Sequence, residues 1–300
     1  MEWNKIKTEA RNERTANIDA LPTIDMIRLI NDEDKKVAAA VELEAEHIAA
    51  AVDVIAEQLR QGGRLIYSGC GTSGRLGVLD AVECPPTYST DPGLVVGLLA
   101  GGYEAMFQAV EGAEDDAALG EKDLRAIGFS AKDVLTGIAA SGRTPYVLGA
   151  MAYARSLGAH VISVTCCPDS PVTEAAEIAI APEPGPEVVT GSTRMKSGTA
   201  QKMVLNMLST GAMIKLGKVY GNLMVDVKPS NEKLVCRCRR IVCAAAEVDE
   251  QTAAAALEAC GYRPKTAIVM LRLGVGAEEA KDLLERAGGR VAAALENGTL

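Results

Sequence analysis

Between residues 64 and 180 the chain alternates short apolar runs with helix-like segments, and this alternation restricts the fold more than any other feature. The apolar runs are 64–68, 93–99, 133–139, 160–165 and the short 178–180, with helical patterns after Ser73, on either side of Asp115 and over 145–157. Strands apolar along their whole length need cover on both faces, so the expected fold class is α/β, a parallel sheet between two helical layers. From 196 to 215, Met203, Val204, Met207, Leu208 and Ile214 recur at helical spacing and predict a long helix flanking the sheet. The polar stretch 1–48 reads as an N-terminal helical arm, 49–243 as the sheet domain and 244–300 as a small module. That module should hold three helices, 249–260, 264–273 and 277–287, separated by Gly261 and by residues 274–276.

Composition narrows the partners. A net charge of −9 leaves no basic footprint for nucleic acid or an anionic membrane, so the expected partner is a small molecule. No apolar run reaches the length of a bilayer span, and Met1-Glu2-Trp3-Asn4-Lys5 lacks the apolar core of a secretory signal, which points to the cytoplasm. Eight cysteines contain no CxxC pair, and His47 and His160 are the only histidines, so neither a disulfide framework nor a metal cofactor is expected. Cys236 and Cys238 read as small, half-buried helix residues.

Two turns carry the chemistry. Gly69-Cys70-Gly71-Thr72-Ser73-Gly74 follows the first strand and Ala140-Ser141-Gly142-Arg143-Thr144 follows the third. At the carboxyl ends of parallel strands, helix N-termini present unpaired N–H groups to anions. Gly71 and Gly74 would let a phosphate approach the backbone, and Thr72 and Ser73 would donate hydroxyls. The second turn offers Ser141, Gly142, Arg143 and Thr144 in the same way. Gly69-x-Gly71-x-x-Gly74 also has the spacing of a dinucleotide fingerprint, but that motif wants an acid at the end of the second strand. Here that strand runs into Leu99-Ala100-Gly101-Gly102, with Asp91 before it. A third reading leaves the glycines to helix packing alone.

Longer stretches go further. Gly71-Thr72-Ser73-Gly74-Arg75-Leu76-Gly77, Glu83-Cys84-Pro85-Pro86-Thr87, AASGRTPY at 139–146 and TGSTRMKSGTAQK at 190–202 resemble the N-acetylmuramic acid 6-phosphate etherase family, as do Thr8-Glu9-x-Arg11-Asn12, NDED at 31–34, Glu114-Asp115-Asp116 and NLMVDVK at 222–228. The resemblance runs from residue 8 to about residue 235. It implies a sugar isomerase (SIS) type three-layer fold, a homodimer, a ubiquitin-associated-like (UBA-like) C-terminal module, and no cofactor. It also implies cleavage of N-acetylmuramic acid 6-phosphate to N-acetylglucosamine 6-phosphate and D-lactate in peptidoglycan recycling, with Glu83 and Glu114 as catalytic pair and Glu83 protonating lactate. An aldose–ketose isomerase of the same fold and a sugar-phosphate-sensing regulator are the alternatives.

Ether cleavage needs removal of the C2 hydrogen and protonation of the leaving oxygen, and two carboxylates suffice. Pro85 disfavours helical geometry at Cys84, which should place Glu83 at a helix C-terminus where the dipole raises a carboxyl pKa. Glu114 stands among Glu111, Asp115 and Asp116, whose like charges favour its protonated form, and it would serve as base once substrate is bound. Ser192 and Thr193 either N-cap the long helix or contact the sugar, and Glu187, after Pro184-Gly185-Pro186, is a further polar candidate. Arg194 and Lys196 read as surface charges, and Lys228 as a candidate for the lactyl carboxylate. Ser73 and Glu83 are ten residues apart, about 15 Å along a straight helix, more than one sugar spans. Either the helix breaks near Gly77, or the second turn holds the phosphate, or Glu83 completes the partner subunit's site. The shared site predicts that mixing Ser141→Ala with Glu83→Gln restores part of the activity through mixed dimers; no recovery would refute it.

Overall fold

The computed structural model describes residues 7–227, 229 and 231–298, so residues 1–6 of the expected arm lie outside it. The chain forms two compact units, residues 1–82 with 93–209 and residues 83–92 with 210–300. In the first, single-turn 3₁₀ segments precede α1 (Thr23–Asp34), α2 (Lys36–Glu42) and α3 (Ala45–Arg60). There follow β1 (Leu65–Gly69), α4 (Gly71–Tyr88), β2 (Val95–Leu99), α5 (Ala117–Ala126), β3 (Val134–Ile138), α6 (Pro145–Ser156), β4 (His160–Val164), α7 (Pro171–Glu174), β5 (Ile178–Ile180) and α8 (Lys196–Lys215), with α4 from residue 83 and α8 from residue 210 belonging to the second unit. The five strands are all parallel, in the order β2-β1-β3-β4-β5.

Side chains alternate across the sheet and sort the covering helices. Ile66, Leu135 and Val161 pack with Val147, Ala150 and Met151 of α6. The opposite face receives α4, because a Cβ on Gly77 would meet Tyr67 Cβ at 2.9 Å and one on Gly97 would meet Val78 Cα at 2.6 Å. Glycine at 77 and 97 therefore sets how closely α4 lies on β1 and β2.

Two expectations about helices fail. α4 passes through Pro85 and Pro86 to Tyr88 without a break at Gly77, so Glu83 stands five residues before the helix end and the dipole argument loses its premise. The preference of a pre-proline residue for extended backbone is a bias, and here the helix overrides it. Before Asp115 the chain forms only 3₁₀ turns, Glu104–Met106 and Ala113–Asp115.

Lys196 is fully buried instead of lying on the surface. Its Nζ donates to Glu33 Oε2 at 2.8 Å and to the Pro184 carbonyl at 3.0 Å. Glu33, also fully buried, further accepts from Asn12 Nδ2, Arg14 Nη1 and Lys36 Nζ. Burial opposes its charge, yet the hydrogen bonds from Lys196, Lys36 and Asn12 prevail and hold its carboxyl at about 2. One turn of α8 thus anchors the N-terminal segment.

The second unit contains a hairpin of β6 (Val219–Tyr220) and β7 (Leu223–Met224), then α9 (Glu232–Ala246), α10 (Glu250–Ala259), α11 (Pro264–Leu273), α12 (Ala277–Arg286) and α13 (Val291–Gly298). The three expected helices are present, and α9 and α13 join them around one core of Val225, Ile241, Leu257, Ile268, Leu284 and Val291. The expected boundary near residue 243 falls inside α9. Asn231 and Asp249 cap α9 and α10 through their side-chain oxygens.

Glu33→Gln leaves the Lys196 ammonium buried without a counter-ion and should cost about 3–5 kcal/mol in denaturant unfolding. Lys196→Met should cost less, because Glu33 keeps Arg14 and Lys36. Since the Glu33 carboxyl is lowered, its contribution is complete above the ordinary 4.5 and disappears as pH falls towards about 2. Acid unfolding across that window should therefore be shallower in Glu33→Gln than in the parent.

Candidate active site

The strand order places β2 and β3 on opposite sides of β1, so the chain reverses its direction of travel between β1 and β3. A crevice opens at the carboxyl ends of the strands flanking such a point. The two glycine turns leave from those two strands. α4 starts at Gly71, and its first intrahelical bond is Gly74 N–H to the Cys70 carbonyl at 3.1 Å. The Gly71, Thr72 and Ser73 amides come before that bond and point out of the helix start, the arrangement that receives anions.

Two glycines of the first turn are required by packing. A Cβ on Gly74 would lie 2.4 Å from the Gly69 carbonyl oxygen, and one on Gly69 would lie 2.8 Å from Gly74 N. That pair is required for α4 to press against β1, so the packing reading holds for Gly69 and Gly74. Ser73 is buried and donates its hydroxyl to Gln201 Oε1 of α8 at 2.9 Å. Gly71 is exposed in the left-handed region, with φ 52° and open space around it.

The second turn is held by a different contact. Gly142 has φ 67°, and a Cβ there would meet Ser170 Oγ at 2.0 Å. Ser170 in turn caps α7, accepting from Thr173 N. Thr144 occupies the N-cap position of α6 but makes no capping bond with its side chain. Ser141 makes no side-chain hydrogen bond among the described residues, and Arg143 Nε is buried without a partner. Ser141, Arg143 and Thr144 therefore keep polar groups that the fold does not consume.

Glu114 joins the first turn. A cavity of about 200 Å³ is lined by Cys70, Gly71, Arg75, Ala100, Ala105 and the chain from Ala109 to Glu114. Burial pushes the Cys70 thiol up to about 12, and the nearby Glu114 and Asp115 carboxylates add to the effect. Asp116 is occupied elsewhere, capping α5 through Leu119 N. Arg75 donates from Nε and Nη2 to the carbonyls of Ala105 and Met106, at 2.7 to 3.1 Å, and so ties α4 to the segment that leads to Glu114. Glu83 is exposed on α4, in the part of that helix belonging to the second unit.

The capping role considered for Ser192 and Thr193 goes to Glu187, whose buried carboxylate accepts from Lys196 N and Ser197 N, both at 2.9 Å. Ser192 is half-buried in a turn, with its N–H on the Val189 carbonyl, and Arg194 is exposed. Lys228 lies outside the described residues. Gln201 and Lys196 escaped sequence reasoning because polar residues on a helix read as solvent-facing. A tell-tale did exist, since Lys196, Ser197, Gly198 and Gln201 interrupt the apolar face of α8 at its start.

Residues 47–155 match the glucokinase regulatory protein N-terminal SIS domain family, and residues 125–211 match the SIS domain family. An N-acetylmuramic acid 6-phosphate etherase of Photorhabdus laumondii is 62% identical over 283 residues, covering 94% of both chains. Proteins of the same name from Photobacterium profundum and Clostridium botulinum are 59% and 56% identical, each covering at least 97% of both chains.

Gly142→Ala adds a left-handed alanine and a collision with Ser170, together roughly 2–6 kcal/mol. Thermal unfolding should report that loss, and binding of a sugar phosphate should weaken beyond what partial unfolding explains.

Proposed function

The chain belongs to the N-acetylmuramic acid 6-phosphate etherase family, and from this we propose how its residues perform that reaction. The enzyme is a carbon–oxygen lyase that converts N-acetylmuramic acid 6-phosphate and water into N-acetylglucosamine 6-phosphate and D-lactate. Full-length relatives of that name do not favour the isomerase or the sensor.

In the open-chain sugar the C1 aldehyde acidifies the C2 hydrogen, and Glu114 takes that proton. The C3–oxygen bond breaks, its electron pair leaves with the lactyl oxygen, and Glu83 protonates that oxygen. D-lactate departs and a C2–C3 double bond conjugated to the aldehyde remains. Water then adds at C3, giving up a proton to the carboxylate that protonated lactate, while C2 regains a proton from the protonated base. One water is consumed, and both carboxyl groups return to their starting forms.

The observation that carries the assignment of Glu114 is its position in one cavity with Cys70 and Gly71, beside the amides that begin α4. For phosphate we assign the second turn, Ser141 to Thr144, together with the Gly71 and Thr72 amides; Ser192 adds a sugar contact. Glu83 acts in the site of a second subunit of a homodimer. The support for this is that α4 is unbroken and that Leu79 and Val82, both about half exposed, share a helical face with exposed Glu83. An apolar patch around a reactive acid suits an interface. The reaction belongs to peptidoglycan recycling in the cytoplasm, and among the described residues no helix is long and apolar enough to cross a membrane.

Incubation with N-acetylmuramic acid 6-phosphate in heavy-oxygen water should release D-lactate and place the label at C3 of the amino sugar. Absence of lactate would defeat the activity. Glu83→Gln should still exchange the C2 proton with solvent while releasing no lactate, and loss of both would make Glu83 the base or a structural residue.

A further inference from the structure

The cavity that contains Glu114 has one cationic side chain in its lining, that of Arg75. Its guanidinium has five N–H donors, and the Ala105 and Met106 carbonyls engage Nε and Nη2. Both donors on Nη1 and one of the two on Nη2 are left over. No carboxylate among the described residues pairs with Arg75, although Glu111 and Glu114 line the same cavity. A half-buried arginine in the lining of a cavity, anchored by two carbonyls, with donors to spare and no counter-ion, is built for an anion that arrives from outside.

We propose that Arg75 binds the lactyl carboxylate of the substrate, and that the apolar residues beside it receive the lactyl methyl group. This rests on the etherase reading and names the part of the substrate that the cavity takes. The carboxylate is separated from the ether oxygen by a single carbon. Whatever binds it must therefore sit in the same cavity as the group that acts at C2 and C3, and Arg75 shares that cavity with Glu114. Ala100, Ala105, Ala109 and Val110 supply a small apolar wall of the size a methyl group needs. The phosphate, assigned above to the second turn and the amides that begin α4, is a poorer partner for Arg75 itself, because its double charge would then face both Glu111 and Glu114. Anchoring the carboxylate also holds the C3–oxygen bond in one orientation as it breaks.

The test compares two reactions on one protein: lactate release from N-acetylmuramic acid 6-phosphate, and solvent exchange of the C2 hydrogen in N-acetylglucosamine 6-phosphate, which has no lactyl group. Arg75→Met should raise KM for the ether roughly 10- to 100-fold, the loss of a charged hydrogen-bonding partner. The ratio of ether cleavage to exchange should fall at least about tenfold, and inhibition by D-lactate should disappear. Arg75→Lys keeps the charge without the fork and should fall between the parent and Arg75→Met, which also covers the case in which the methionine variant does not fold. Equal losses in both reactions would overturn the proposal, since they would mean that Arg75 acts only as a tie to Ala105 and Met106 or as a phosphate ligand. Unchanged kinetics on the ether would overturn it as well. Failure of the parent protein to release lactate would instead reject the etherase reading.

Discussion

An ammonium group with no contact to water needs a carboxylate beside it, and the position of that carboxylate decides where α8 begins. Lys196 finds Glu33, and the same turn of helix is held by Glu187 through two backbone amides. Two buried acids, one from α1 and one from the loop after β5, thereby fix the first turn of a twenty-residue helix. Desolvating these charges is expensive, and a well-packed apolar cluster could give as much stability. A directional pair does what an apolar contact does not: it admits one register of α8 against the N-terminal segment.

That register reaches the candidate site. With its start fixed, α8 presents Gln201 to Ser73, and a Cβ on Gly198 would sit 3.4 Å from the Thr72 methyl. Further along, Asn206 and Ser209 donate to Asp80 of α4, which also accepts from Tyr67 of β1. Burial pushes the Asp80 carboxyl up, opposed by these three donors. Strand, helix and long helix are thus tied by polar contacts on the side of the sheet that carries the first turn.

The two glycine turns show how one residue type performs two jobs. Gly69 and Gly74 are empty of side chain because backbone lies where a Cβ would go, whereas Gly71 and Gly142 adopt left-handed backbone at the ends of strands. The outer glycines of the G-x-G-x-x-G spacing follow from packing and the middle one from its left-handed backbone, with no ligand needed to explain any of them. This is why the motif cannot tell a dinucleotide from a sugar phosphate, and why the hydroxyl-bearing neighbours carry the distinction.

Sequence alone determined the α/β class, the five strands and the two turns at the sheet's carboxyl end, because strand burial and helix periodicity are local patterns that each segment carries in itself. It also supplied the motifs that resemble the etherases, including Glu83 and Glu114. Tertiary structure decided what depends on distant parts of the chain. It buried Lys196 against Glu33, 163 residues away, gave the α8 cap to Glu187, and carried α4 through two prolines. It also brought Arg75, Glu114 and the first turn around one cavity. The alternation of strand and helix is written residue by residue, but a charge reads as exposed until the fold supplies its partner.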